Sequence, residues 1–139
     1  MNSRTFTLIK PEAVRAGHTG DILQMIEHHG FRIVALRQHL MSRDEARRFY
    51  AAHRDRPFYD ELVEYMVSGP IVAAVVERDD AVEALRRLVG PTDPQQAAEG
   101  TIRRAYGKDR TMNAIHASDS PANARLEWQQ LFSPSDILP

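Results

Sequence analysis

Apolar and polar residues follow one another along the chain in patterns that predict strands and helices in turn. Residues 5–9 are short, β-branched and aromatic, which predicts a strand that runs into a loop at Lys10. Apolar residues then recur at helical spacing up to Gly30, where the first helix is expected to end. Residues 31–40 are again β-rich but interrupted by arginines, which predicts a second strand with one wetter face.

Two helices and a central strand are predicted next. Ser42 and Glu45 have the spacing of a capping box, so a helix is expected to start there. The pair 56–57 contains a proline that ends this helix, and an apolar stripe through 58–66 predicts another. Residues 71–76 are continuously apolar, as expected of a strand that is covered on both faces, which predicts a place in the centre of the sheet.

The last part of the chain is less regular. Asp80 and Glu83 are predicted to cap a helix. Residues 92–112 sustain no period, and an irregular stretch longer than about 12 to 15 residues in a compact domain is usually functional or disordered. A brief strand is predicted at 113–116, and Ser120, which precedes a proline, predicts the N-cap of a final helix.

The order of these elements predicts the fold. Strand, helix, strand, two helices, strand, helix, long loop, strand and helix match a ferredoxin-like split βαβ arrangement of the α+β class. We therefore expect a four-stranded antiparallel sheet with helices covering one face. The chain has 139 residues, which fits a single domain over residues 1–139.

Composition and charge exclude several classes of function. Lys and Arg number 18 and Asp and Glu 19, so no basic field is available for a nucleic acid. The chain has no cysteine, which excludes disulfides, thiolate metal sites and cysteine nucleophiles. No apolar run has the length of a signal segment or a membrane span. We expect a cytoplasmic protein that binds neither nucleic acid nor membrane.

The segment before the final helix is the most informative about chemistry. His116 lies just ahead of a capped helix N-terminus, where backbone N–H groups and the helix dipole favour an anion. An imidazole has a pKa of about 6.5 and is largely neutral at pH 7, so it can attack phosphorus without a separate base. Glu127, roughly two turns into the helix, can orient the ring through its other nitrogen. Taken alone, a histidine before a turn is more commonly structural or exposed than catalytic.

Any phosphate would be held by side chains, because the chain lacks the glycine-rich phosphate loops and the zinc-binding His-Glu-x-x-His motif. Lys10 ends the first strand, Arg86 lies at the edge of a helix stripe, and Arg103 lies in the long irregular segment. Each alone is most simply a solvated surface charge. Together around one nucleophile, they would neutralise the oxygens of a transferring phosphoryl group.

Five motifs, in order across nearly the whole chain, resemble those of the nucleoside diphosphate kinases. They are Thr7-Leu8-Ile9-Lys10-Pro11-Glu12, Arg56-Pro57-Phe58-Tyr59, Ser68-Gly69-Pro70, Gly100-Thr101-Ile102-Arg103 and Asn113-Ala114-Ile115-His116-Ala117-Ser118-Asp119-Ser120. The resemblance implies a ferredoxin-like fold and a nucleoside-diphosphate kinase that moves the γ-phosphate of a nucleoside triphosphate, such as ATP, to a nucleoside diphosphate. The implied reaction is ping-pong, with the phosphate carried on His116.

The resemblance also implies roles for further residues. Glu127 and Ser118 would support His116, and Tyr50 would adjoin it. The implied nucleotide contacts are Lys10 and Asn113 at the sugar hydroxyl and terminal phosphate, Arg86, Thr92 and Arg103 at phosphate oxygens, and Phe58 and Leu62 at the base. Mg²⁺ would arrive with the nucleotide, held by phosphates and water rather than by protein ligands. A homo-oligomer built on a dimer is also implied. Without the resemblance, aromatic residues at helical spacing are more often core, and Thr92 and Ser118 have turn and cap roles.

Two positions depart from the family pattern, and two other functions compete. Ala117 stands where the family usually has glycine, so a positive φ there would strain it by roughly 1 kcal/mol or more. Arg110 stands where the family tends to have an apolar residue facing the base, which would alter base preference, although a guanidinium also stacks. The competing functions are a catalytically silent nucleotide-binding module and a small phosphatase on the same architecture.

Overall fold

The computed structural model describes residues 2–139, in which four strands and seven α-helices form one sheet with its covering layers. The strands are β1 (Asn2–Ile9), β2 (Arg32–His39), β3 (Ile71–Asp79) and β4 (Ile115–Ala117). The helices are α1 (Pro11–Arg15), α2 (Thr19–His28), α3 (Arg43–Phe49), α4 (Tyr59–Met66), α5 (Ala81–Val89), α6 (Ile102–Tyr106) and α7 (Pro121–Leu131). Short 3₁₀ turns occur at Ala51–His53, Pro94–Gln96 and Pro134–Asp136.

The sheet has the order β2-β3-β1-β4, and every neighbouring pair is antiparallel. The predicted α+β class and four-stranded antiparallel sheet are therefore confirmed. β3 pairs along its length with β1 on one side and β2 on the other, so the continuous apolar run 71–76 lies in a central strand as predicted. β4 is short and pairs only with the end of β1, where Leu8 lies opposite His116.

Helices cover both faces of the sheet, and this corrects the expectation of helices covering one face. Alternate residues of β3 point to opposite sides, and both sets are buried: Val72, Ala74 and Val76 on one, Ile71, Ala73 and Val75 on the other. Helices α1, α2, α5 and α6 pack on the first face, whereas α3, α4 and α7 pack on the second. The order of elements in the sequence predicts which helices and strands exist, but it does not predict on which face of the sheet each helix packs.

Side-chain caps position several of these helices. The capping box that begins α3 is confirmed, because Ser42 Oγ accepts from the Glu45 N–H at 3.1 Å and the Glu45 carboxylate accepts from the Ser42 N–H at 2.9 Å. Ser120 Oγ likewise accepts from the N–H of Asn123 at 3.1 Å and caps α7. Asp80 precedes α5, but its side chain makes no cap bond; Ser3 Oγ accepts the Ala81 N–H instead, at 2.9 Å.

Two short helices were missed by the periodicity. α1 follows β1 directly, where a loop was predicted, and α6 lies inside the irregular segment 92–112. Each has five residues, which is less than two turns and too short to display a helical period. α6 begins where Thr101 Oγ1 accepts from the Arg104 N–H, and its position brings Arg103 towards the end of β4.

Candidate functional site

An open cleft of about 410 Å³ has His116 in its wall. Four parts of the chain contribute to it: the end of α3 and the turn after it, the exposed edge of α5, the irregular segment 92–112, and the β4–α7 connection. The predicted site residues that line this cleft are Tyr50, Arg86, Thr92, Arg103, His116 and Glu127, joined by Phe49, Ala52, His53, Ala117, Asp119 and Asn123. The fold therefore brings together residues that lie far apart in the sequence.

The His116 ring is held from behind by α7. Its Nε2 lies 2.8 Å from Glu127 Oε1, and Ser118 Oγ donates to the same oxygen at 2.5 Å. Ser118 is fully buried and also contacts the Phe6 carbonyl at 3.3 Å. With Glu127 ionised as an acceptor, Nε2 carries the proton and donates it. Nδ1 makes no hydrogen bond within residues 2–139, so it keeps a free lone pair.

Aromatic rings fix the orientation of the imidazole. The Phe49 ring meets it edge-on, with centroids 5.3 Å apart and planes at 79°, and Phe6 lies 6.2 Å away. Such edge-to-face contacts favour one ring orientation. Phe49 was not predicted as a site residue, since an aromatic residue on the apolar side of a helix has the same pattern whether it packs in the core or against a nucleophile.

The backbone in front of His116 is strained at Ala114, not at Ala117. In the described chain, the non-glycine residues with a positive φ are Asp80 and Ala114. Ala117 does not have a positive φ, so it carries no strain of that kind. Ala114 has φ of 78°, and the Asn113 carbonyl accepts from the N–H of Ile115 at 3.0 Å, which makes a γ-turn. A residue held in this conformation stores roughly 1–3 kcal/mol of strain, which surrounding contacts must hold in place.

Lys10 and Asn113 form a buried pair beneath the cleft rather than in its wall. Lys10 is 7% exposed, and its Nζ donates to Asn113 Oδ1 at 2.8 Å and to the Thr111 carbonyl at 3.2 Å. Burial lowers the pKa of Lys10 to about 8, with the charge of Arg103 adding to the effect. Asn113 Nδ2 donates to the Thr92 carbonyl at 3.0 Å, which links the pair to a residue that lines the cleft.

The two predicted arginines differ in how tightly they are held. Arg86 is exposed and makes one long bond, 3.4 Å, to the carbonyl of Ala117. Arg103 is half-buried and donates to the carbonyls of Gly90 and Ile115, both at 2.9 Å. Its Nε is buried and unpartnered in the described part of the chain. Burial, then the neighbouring charge of Arg86, lowers the pKa of Arg103 to about 10, so the Arg103 guanidinium is still charged at neutral pH.

Gly90 has a structural reason to be glycine. Its φ is +90°, and a Cβ there would lie 3.1 Å from Thr101 Cβ. This residue ends α5 and presents the carbonyl that holds Arg103. A side chain at Gly90 would therefore disturb the guanidinium as well as the turn.

Tyr50 is buried and its hydroxyl has no hydrogen-bond partner among residues 2–139. Burial first, and then the charge of Glu127, raises the pKa of Tyr50 well above its usual range, so the group stays a neutral phenol. A buried hydroxyl without a partner costs free energy. The hydroxyl belongs to a residue of the cleft wall, within electrostatic reach of both Glu127 and Arg103.

The predicted base contacts lie outside the cleft wall. Phe58 is 45% exposed, and its ring centroid is 5.6 Å from that of His53, which does line the cleft. Leu62, on the inner side of α4, is buried in the core. Arg110 is exposed, with Nε 3.9 Å from Asp93 Oδ2, and lines a shallow cavity of about 400 Å³ between α4 and residues 109–112.

The described residues contain no cluster of three or more histidine or carboxylate side chains with the geometry of a metal site. Within residues 2–139, no helix is long and apolar enough to cross a membrane. The cleft thus combines a free imidazole nitrogen, a carboxylate behind the ring and guanidinium groups around it. Such an arrangement can accept a phosphoryl group and neutralise its oxygens.

Comparison with known proteins gives a consistent result. The family model described as nucleoside diphosphate kinase matches residues 3–137. The nucleoside diphosphate kinase of Persephonella marina is 45% identical over 135 residues, which cover 97% of this chain and 96% of the relative. That of Methylorubrum extorquens is 47% identical over 136 residues, 98% and 97% of the two chains.

Solved structures agree with the sequence relatives. The Aquifex aeolicus nucleoside diphosphate kinase superposes with a TM-score of 0.96 at 44% identity, covering 99% of this chain and 100% of the other. The Halobacterium salinarum nucleoside diphosphate kinase, solved in complex with CDP, gives a TM-score of 0.96 at 38% identity, covering 100% of this chain and 93% of the other.

Proposed function

The chain belongs to the nucleoside diphosphate kinase family, and we propose how its own residues divide the work of that reaction. The reaction transfers the γ-phosphate of a nucleoside triphosphate to a nucleoside diphosphate by a ping-pong mechanism through a phosphohistidine. The observation that carries the assignment of roles is the bond between Glu127 and Nε2 of His116. It leaves Nδ1 as the nitrogen with a free lone pair.

In the first half-reaction, the Nδ1 lone pair of His116 forms a bond to the γ-phosphorus. The bond from that phosphorus to the oxygen bridging to the β-phosphate breaks, and the leaving diphosphate keeps the electron pair. The ring becomes more positive as the new bond forms, and the Glu127 carboxylate stabilises this charge through the Nε2–H. In the second half-reaction, a terminal oxygen of another nucleoside diphosphate attacks the phosphorus and the bond to Nδ1 breaks.

Positive charge and hydrogen-bond donors around the cleft hold the phosphates. Arg86, Thr92 and Arg103 contact phosphate oxygens, and the Arg103 guanidinium, with its pKa at about 10, is charged at neutral pH. Lys10 and Asn113 contact the sugar hydroxyl and the terminal phosphate. These two side chains are bonded to each other, and Asn113 is bonded to Thr92 in the cleft wall, so a nucleotide that contacts them reaches the buried floor of the site. The hydroxyl of Tyr50 supplies a further polar contact beside the nucleophile.

The base stacks on Phe58, whose exposed ring offers a surface that any base can use because every base has a π-face. Leu62 supports this slot from the core. Arg110, on the facing loop, adds a guanidinium where the family tends to have an apolar side chain, and a guanidinium also stacks on π systems. This arrangement accepts different bases, as a general nucleoside diphosphate kinase requires.

Activity in this family needs a divalent cation. We propose Mg²⁺, which enters as part of the nucleotide substrate and is coordinated mainly by phosphate oxygens and water. In this proposal, the cleft binds the magnesium–nucleotide complex.

A labelling experiment tests the role of His116. Incubation with γ-labelled ATP should place one acid-labile, base-stable phosphate on each site of the wild type, and addition of a nucleoside diphosphate should discharge it. His116→Ala should take up no label. Labelling that persists in His116→Ala refutes the assignment. A silent nucleotide-binding module would take up no label in either protein, and a phosphatase would release free phosphate without an acceptor.

We also propose a homo-oligomer built on a dimer, located in the cytoplasm, where nucleotide substrates are concentrated. β2 is an edge strand, and although its Val34 carbonyl accepts from the Leu138 N–H at 2.9 Å, Leu36 and Leu40 further along are exposed. An exposed edge strand with apolar side chains is a template for pairing with a second copy of the chain. Light scattering measures the mass in solution, and a monomer at micromolar concentration would contradict this proposal.

A further inference from the structure

The strained turn before His116 is held at both of its peptide groups. The Ala114 N–H donates to Glu12 Oε1 at 3.0 Å, and the Ala114 carbonyl accepts from the Lys10 N–H at 2.8 Å. The same Glu12 oxygen accepts from the Tyr65 hydroxyl at 3.2 Å. Glu12 lies in the first turn of α1, directly after the end of β1. One carboxylate oxygen of Glu12 therefore connects the segment after β1 with the turn before β4 and with Tyr65 of α4.

Glu12 is placed in an environment that a carboxylate does not favour. It is 5% exposed, and its Oε2 is buried without a hydrogen-bond partner in the described chain. None of the ion pairs found between residues 2 and 139 includes it. Taking a carboxylate out of water without a direct cationic partner costs free energy. An apolar side chain would avoid that cost but would leave the buried Ala114 N–H without its acceptor. The carboxylate therefore has a specific task that an apolar side chain cannot perform, which is to accept from the backbone of the turn before His116.

We infer that Glu12 is a positioning residue for phosphoryl transfer, because its Oε1 fixes the γ-turn that sets the place of His116 on one side and Asn113 on the other. This inference rests on the proposed role of His116. The turn lies directly before β4, which pairs with β1 over only three residues. Asn113 and the Ala114 carbonyl have other partners, but in the described chain the Ala114 N–H is held by Glu12 alone. Misplacement of a reacting group by about 1 Å can lower a rate by two orders of magnitude.

Glu12 also acts on the charge beneath the cleft. Its negative charge raises the pKa of Lys10, which opposes the lowering by burial and by Arg103, and Asp109 acts in the same direction as Glu12. The carboxylate therefore helps to keep the buried ammonium protonated. Glu12 thus has two effects beneath the cleft: it holds the turn at Ala114, and it stabilises the charge of Lys10. Substitutions at Glu12 can separate these two effects.

Three substitutions at Glu12 separate these effects. Glu12→Gln keeps a carbonyl oxygen that can accept from Ala114 and from Tyr65, whereas Glu12→Ala and Glu12→Leu remove the acceptor. Leu fills the buried volume and serves if the alanine variant does not fold. Glu27→Ala, an exposed glutamate on α2, is the matched control. The measurements are the rate of phosphohistidine formation from γ-labelled ATP in quenched flow, ADP affinity by calorimetry, and the melting temperature.

The expected result is a loss of about 10-fold or more in the rate for Glu12→Ala and Glu12→Leu, with ADP affinity within about 3-fold of wild type. Glu12→Gln should retain most of the rate at pH 7. A rate close to wild type in both acceptor-less variants overturns the inference, and so does an equal loss in Glu12→Gln. If the wild type itself forms no phosphohistidine, the proposed function fails rather than the role of Glu12.

Discussion

Removal of the Glu127 carboxylate is the perturbation that most directly tests how the nucleophile is activated. One oxygen of Glu127 accepts from both His116 Nε2–H, at 2.8 Å, and Ser118 Oγ–H, at 2.5 Å. Glu127→Ala removes this acceptor and leaves the imidazole free to change tautomer and to rotate. Glu127→Gln keeps an amide oxygen at the same reach but removes the negative charge.

The size of the effect follows from the kind of bond that is lost. A hydrogen bond to a charged group contributes about 1.5–3 kcal/mol, and the side chains of His116 and Glu127 are only 23% and 19% exposed, so water screens it weakly. Because ring charge develops during attack, most of that energy is felt in the transition state. At about 1.4 kcal/mol per tenfold, kcat should fall roughly 10- to 100-fold in Glu127→Ala. Glu127→Gln should fall between the alanine variant and wild type.

The assay compares kcat with nucleotide affinity. Steady-state turnover with ATP and a second nucleoside diphosphate gives kcat, and titration calorimetry with ADP gives Kd, which should stay within about 2-fold since Glu127 contacts the ring rather than the phosphates. Glu83→Ala, an exposed glutamate on α5, controls for loss of a surface charge. The reasoning is refuted if Glu127→Ala turns over at the wild-type rate, or if Kd weakens as much as kcat falls.

Three further outcomes are expected. Tyr50→Phe should raise the melting temperature by about 2–4 °C, because it removes a buried hydroxyl without a partner, while kcat falls; a lower melting temperature in scanning calorimetry would contradict this. Arg86→Ala should weaken ADP binding and leave the melting temperature unchanged. Arg103→Ala should weaken ADP binding and also lower the melting temperature, because Arg103 donates to two backbone carbonyls. An ADP affinity that calorimetry finds unchanged in either variant would remove that residue from the site. Burial lowers the pKa of Lys10 to about 8, so its positive charge is present below that pH and is lost above it. ADP affinity, measured by calorimetry from pH 6 to 9.5, should therefore be constant up to about pH 8 and decline above it. Lys10→Met should abolish the decline.

The regular elements could be predicted from the sequence because their signals are local. The capping box at Ser42, the Ser120 cap and the doubly covered strand 71–76 each depend on residues within a few positions of one another, and the structure contains all three. α1 and α6 were missed because five residues do not display a period. Placement of α3, α4 and α7 on the second face depends on how connections turn in space, which no local pattern encodes.

The site was predictable to the extent that motifs resemble a family, and less so from chemistry alone. The pairing of His116 with Glu127 was expected from helix spacing and is present at 2.8 Å. The glycine usual at Ala117 in the family raised the question of a positive φ there, but the positive φ in this segment lies at Ala114. Backbone strain depends on how the chain enters β4, where the partners of Ala114 are Lys10 and Glu12, both distant in sequence.

The topology of the sheet explains why such distant residues meet. β1 and β4 are neighbours, and the register places Leu8 opposite His116, so the residues that follow β1 lie beside those that precede β4. Lys10 and Glu12 therefore reach the turn at Ala114 from the same side. The cations then lie around the cleft and beneath it, while the carboxylate of Glu127 lies behind the ring. In the proposed function, a polyphosphate that enters the cleft contacts these cations, and the Glu127 carboxylate acts on the imidazole from the opposite side of the ring.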